Sequence, residues 1–349
     1  MDLQAIPNQL DGKRQFEVKE LRNLFPDILD PKANIFWTDF LLSAAGGWSA
    51  FVWACLTKPM SWQMFVSVAV SAICLYRALA FLHEISHLTP KTLPGFAKVW
   101  NLLVGIPLLI PSFVYIGVHV HHHRLSSYGT ASDPEYMPFS GKRGAIIFFI
   151  AQNFLMPALL LLRFLLLSPL GLLLPSLHRF LEHHASSACT NPAYYREISD
   201  NERANMMAME LLIIAFWTVP IMLAVYGVVP WRIFLIWYEV TVCIELTRCL
   251  QALGAHRYRS SGEPMDIDSV LLDSIDTPGN FWTEIWAPLG LRYHALHHCC
   301  PNIPYHNLHI AYQRLKEYLP VNSFYHSTTS LSLRNSLQTL WNENTSNGT

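Results

Sequence analysis

Apolar residues fall in long blocks separated by short polar breaks, and the block lengths predict the elements. Residues 39–56 and 61–82 are each apolar over roughly the ~30 Å of hydrocarbon that a helix rising ~1.5 Å per residue must cover. The break between them is short and turns at Lys58-Pro59. Residues 209–229 and 231–253 repeat this arrangement around Pro230. The pattern predicts an all-α integral membrane protein with four transmembrane helices in two hairpins, and Gly46-Gly47 on the first suits close helix packing. Two further apolar stretches are interrupted. Residues 92–118 contain Pro94, Pro107 and Pro111, and residues 143–175 contain Pro157, Pro169 and Pro175 with Arg163 between them. Proline breaks the helical ladder and an arginine in mid-bilayer is costly, so both stretches are expected as re-entrant or interfacial helices.

The polar segments complete the plan. Residues 1–36, with Lys13, Arg14, Lys19, Arg22 and Lys32, are expected as a cytosolic arm without a cleavable leader. Residues 37–320 then form the membrane domain. Residues 257–290, rich in acid (Glu263, Asp266, Asp268, Asp273, Asp276, Glu284), are expected in a cytosolic cap, and residues 321–349 as a polar, frayed tail. Composition agrees: 52% of residues are hydrophobic and only 14% charged, against ~25% charged in a soluble protein. A net charge of −1 gives no electrostatic case for nucleic acid. The seven cysteines form no CxxC pair and are odd in number, so reduced thiols are expected.

The chemistry lies in histidine. His294, His297 and His298 stand at i, i+3 and i+4, so a helix turns all three one way. His119, His122 and His123 repeat that spacing, and His83 and His87 form an i, i+4 pair. Eight imidazoles are too many for one tetrahedral zinc, so two metals are expected. The clusters sit at span ends, and if they share one site, an even number of crossings must separate them. His256 follows the fourth span at the same level and is either a further ligand or a buried structural histidine. His121 lies ~200° around the helix from His119 and should face away. His178, His183 and His184, spaced i, i+5, i+6, fit an interfacial helix. His306 and His309 are expected beside the ligands or in structural roles, His326 in solvent, and Cys299 and Cys300 as bystanders.

His83-Glu84-Ile85-Ser86-His87 also matches H-E-x-x-H, in which the glutamate of a zinc protease is the general base. That reading leaves the other two clusters without a role. A transporter would place ionisable groups near the bilayer midplane, not at span ends.

The three boxes His83-x-x-x-His87, His119-x-x-His122-His123 and His294-x-x-His297-His298 resemble those of the integral-membrane fatty acid desaturases and their hydroxylase relatives. Asp133-Pro134 and Pro301-Asn302-Ile303-Pro304-Tyr305-His306 resemble the family's sequels to the second and third boxes. The resemblance covers roughly residues 40–318. It implies four spans under a cytosolic cap and a non-haem centre of two Fe ions. The ligands it implies are His83, His87, His119, His122, His123, His256, His294, His297 and His298. Glu84, Asp133 and Asp273 are candidate carboxylates for orienting them. One departure stands out: some relatives hold a water on an asparagine four residues before the equivalent of His256, where this chain has Ala252 next to Gln251. The implied chemistry is O2-dependent desaturation of an acyl chain carried by acyl-carrier protein, CoA or a lipid. Acetylenases and hydroxylases share the scaffold. Electrons would come from a separate ferredoxin or cytochrome b5, for which Arg124, Lys142 and Arg143 are candidate contacts. The expected location is a bacterial inner membrane, with the site facing the cytoplasm.

Overall fold

The computed structural model describes residues 24–343, and among them helix is the only regular secondary structure. Lys13, Arg14, Lys19 and Arg22 lie outside the described residues. Helices Ala33–Leu56 and Trp62–His87 pack side by side along most of their length. Gly47 allows this, because a Cβ there would meet Leu75 Cγ at 2.6 Å. Ser61 caps the second helix by accepting from Met64 N at 3.3 Å. That helix runs five residues past the expected end at 82, which puts His83 and His87 in its last turns.

Four helices among the described residues are long and apolar enough to cross a membrane: Ala33–Leu56, Trp62–His87, Met156–Leu173 and Asp200–Val225. They make the chain a multi-pass membrane protein. The membership differs from the expected set. Helix Arg232–Ala255 forms over the expected fourth span, but it carries Arg232, Glu239, Glu245 and Arg248. Met156–Leu173, expected to stay out of the bilayer, qualifies instead. It qualifies by length and mean hydropathy, and the structure shows how it accommodates Arg163. Arg163 is only 7% exposed and sits in a π-helical turn, Leu162–Leu167. Its Nη2 meets Glu210 Oε1 at 2.6 Å and its Nε donates to Ala185 O at 2.6 Å. A paired, hydrogen-bonded cation escapes much of the cost that a lone one would incur.

Residues 92–118 form no continuous helix. The chain turns at Pro107 and Pro111 while Leu108, Leu109 and Ile110 stay buried. Irregular backbone in such a place needs partners, and indoles supply them. Trp48, Trp217 and Trp237 donate to the carbonyls of Leu103, Ile106 and Pro107 at 2.7, 3.1 and 2.9 Å.

The described part of the expected frayed tail is instead packed. Leu333–Asn342 is a helix, and Leu340 joins a cluster with Tyr136, Cys249 and Tyr258. Leu333, Leu337, Leu340 and Trp341 make an apolar stripe at helical spacing that the surrounding serines and asparagines obscure. Tyr325, fully buried, donates to Asp276. The arm is anchored too: Phe25 and Ile28 are buried, and Asn307 Nδ2 donates to Ile28 O at 2.8 Å.

Candidate metal centre

Three stretches of helix deliver eight of the histidines, and His256 follows the end of helix Arg232–Ala255. His83 and His87 end the long helix Trp62–His87. His119–His122 is a single turn that continues into His123. His294–Cys299 is held at its start by Asp276, which accepts from Ala295 N at 2.9 Å and Leu296 N at 3.2 Å. Burial pushes the Asp276 carboxyl up to about 6, against the hydrogen bonds it accepts. The approach to that last helix turns at Gly290, whose φ of +72° suits glycine and whose Cβ would meet Leu308 Cδ1 at 2.5 Å.

The nine expected histidines gather into two groups. One holds His83, His87, His119, His123 and His297. The other holds His122, His256, His294 and His298. Within each, one ring nitrogen per residue lies within 4.8 Å of all the others. Several Nε2 atoms face each other closely: His119–His123 at 2.9 Å and His123–His297 at 3.2 Å in the first group, His256–His294 at 2.8 Å and His294–His298 at 3.2 Å in the second. Two ligand nitrogens ~2.1 Å from one ion and at right angles to each other stand ~3.0 Å apart. The donor set therefore fits metal ions. So do the buried nitrogens without a hydrogen-bond partner, which include both of His83 and Nε2 of His87. The groups adjoin, with the His123 and His298 rings 4.5 Å apart.

The opposite ring nitrogens explain the orientation. His122 Nδ1 stands 3.0 Å from both oxygens of the fully buried Asp133, which also accepts from Gly129 N and Glu135 N. His256 Nδ1 donates to the Tyr128 hydroxyl at 2.9 Å, and that hydroxyl donates to Asp273 at 2.9 Å. His119 Nδ1 donates to Glu135 Oε1 at 2.7 Å, with Tyr115 also beside it. Each contact assigns the proton to Nδ1 and frees Nε2. Burial, then the neighbouring histidines, hold His119, His123, His256, His294, His297 and His298 below the ordinary imidazole pKa, in the neutral form a metal requires. His122 differs: burial opposes its charge, but Asp133, joined by Glu135 and Asp273, raises it above the ordinary value.

Of the carboxylates expected to orient the ligands, Asp133 does so directly and Asp273 acts through Tyr128. Glu84 does not hydrogen-bond His83: its Oε1 is 3.6 Å from Nδ1, and its Oε2 accepts from Tyr305 N at 3.0 Å. Glu135, Tyr115 and Tyr128 were missed. Glu135 could have been noticed two residues after Asp133, but no sequence pattern marks the tyrosines. His121 pairs with Tyr194, His183 with Arg196 O and His309 with Tyr293. These three, His178, His184, Cys299 and Cys300 join neither group.

A cavity of about 240 Å³ reaches this centre and is lined by His83, His119, His256 and His294. Leu79, Leu82, Leu109, Ile110, Leu160 and Phe164 form an apolar wall.

The fold, the paired histidine groups and the lipid-like cavity together define a membrane oxidoreductase of the histidine-box type. The fatty acid desaturase family profile matches residues 60–330, and the chain belongs to that family, a class of di-iron enzymes. It is 36% identical over 328 residues to a ceramide hydroxylase of Caulobacter vibrioides (strain NA1000 / CB15N), covering 93% of this chain and 92% of that protein.

Proposed function

We propose that the chain is a di-iron lipid hydroxylase that uses O2 to convert one C–H bond of a ceramide-like lipid to C–OH. The observation that carries this reading is the cavity, which brings an apolar chain-sized surface against both histidine groups. The ceramide hydroxylase relative favours hydroxylation over the desaturation expected from the sequence. Desaturation of an acyl chain stays as the second reading, favoured by the family match.

The nine histidines would hold the metal, with Asp133, Glu135 and the Tyr128–Asp273 pair fixing their tautomers. Bound iron would supply the O2 and C–H redox chemistry. The apolar wall excludes water and holds one carbon in place. Two electrons and two protons per turnover, needed to reduce the second oxygen atom to water, would come from an external ferredoxin or cytochrome b5. Arg124 and Lys142 are exposed and free to meet such a donor, whereas Arg143 lies over Trp341. The location we infer is a bacterial inner membrane, with the centre on the cytoplasmic side.

The test is elemental analysis of detergent-purified protein followed by mass spectrometry of its product from a ceramide. About two irons per chain and a product heavier by one oxygen are expected. One zinc without iron overturns the di-iron reading, and a product lacking two hydrogens moves desaturation to first place.

A further inference from the structure

The cavity wall is not uniformly apolar. Helix Arg232–Ala255 presents Glu245, Arg248, Gln251 and Ala252 to the cavity, and His256 follows at its end. Glu245 is 3% exposed and takes Arg248 Nε at 2.9 Å and Nη2 at 2.8 Å. Among the described residues, Arg248 Nη1 has no partner and the Gln251 side-chain amide makes no hydrogen bond. The Arg248 side chain is 33% exposed, and as a lining residue it offers that surface to the cavity.

Plain hydrocarbon here would leave a guanidinium donor and an amide unsatisfied. The occupant of this stretch therefore carries a polar group. Glu245 already neutralises Arg248, so the pair has donors to offer but no net charge to match an anion. This favours a neutral acceptor over a phosphate or carboxylate. Gln251 offers both a donor and an acceptor, which complements the C=O and N–H of a secondary amide. Five and eight residues separate Gln251 and Arg248 from His256, or ~7.5 and ~12 Å along the helix axis.

We propose that Arg248 and Gln251 bind the amide of an N-acyl lipid, so that oxidation falls a few bonds from that amide and not in the middle of a long chain. This rests on the lipid hydroxylase reading and adds the direction in which the lipid lies. Its polar end faces the Arg232–Ala255 helix and its chain runs along Leu109, Ile110 and Phe164.

The experiment uses the iron-loaded full chain with two probes, an N-acyl amino alcohol and the ester with the same two chains. Affinity is read by thermal stabilisation, and the oxidised carbon by mass spectrometry. The wild type should prefer the amide about tenfold, and Gln251→Leu should reduce that preference to near parity with iron content unchanged. Equal binding of the two probes by the wild type overturns the proposal, as does full preference retained by Gln251→Leu or a mid-chain product. Should Gln251→Leu fail to fold, the wild-type comparison decides alone. An alkene product with the amide preference intact refutes hydroxylation but supports this binding mode. An alcohol made without amide preference refutes the binding mode alone.

Discussion

The two histidine groups are supported in different ways. In the group of four, His122 and His256 each have a dedicated acceptor on Nδ1, one a buried carboxylate and the other a tyrosine backed by one. In the group of five, only His119 has such an anchor. Both nitrogens of His83 and Nδ1 of His297 have no hydrogen-bond partner among the described residues, and in the group of four Nδ1 of His294 has none either. The smaller group gains orientation from its anchors, whereas the larger has a surplus of donors. Sensitivity to damage should follow that division.

The largest effect is expected from His294→Ala, which leaves three histidines in its group. We expect loss of about one metal ion per chain and of all measurable turnover. His87→Ala leaves four in the other group and should retain most of its ion while still losing activity. Elemental analysis of both variants checks this, and equal metal loss breaks the comparison. Next is Asp133→Asn, which should weaken metal binding by ~10–100-fold in chelator competition. Glu135→Gln should cost only a few-fold, because Tyr115 also stands 2.8 Å from His119 Nδ1. The pH response should separate the groups further. A raised pKa means that His122 takes a proton, and so competes with metal, at a higher pH than the burial-depressed histidines of its own and the other group. On acidification, the group of four should release metal first, and Asp133→Asn should narrow that gap. The smallest effect is a control. Ser199 and Glu202 form a capping box on helix Asp200–Val225, so Ser199→Ala should cost ~1 kcal/mol of stability and leave metal content unchanged.

Much of the centre was legible because helical spacing is written directly in sequence. The i, i+3, i+4 histidines needed only the period of a helix, whereas level alone left His256 open and the family resemblance added it to the set. Asp133 was within reach for the same reason, being close in sequence to the cluster it supports. The Tyr128–Asp273 relay was not, because it joins residues 145 apart. The expectation that residues 143–175 stay out of the bilayer rests on a local rule, the cost of a lone arginine, whereas the compensating carboxylate lies 47 residues further on. The C-terminal helix was misjudged on composition, which conceals a stripe of four apolar residues.

The Arg163–Glu210 pair has a consequence for how the protein is made. During synthesis Met156–Leu173 leaves the ribosome before Glu210 exists, so its arginine first meets the bilayer unpaired. Placing that cation at mid-depth alone costs ~2.5–3.5 kcal/mol even on a scale measured at the translocon. The expected outcome is that the segment enters lipid stably only once Asp200–Val225 emerges, the two helices partitioning as a unit. Glu210→Ala should accordingly be read out first in biogenesis, as a chain whose Met156–Leu173 segment fails to integrate, before any loss of turnover is measured.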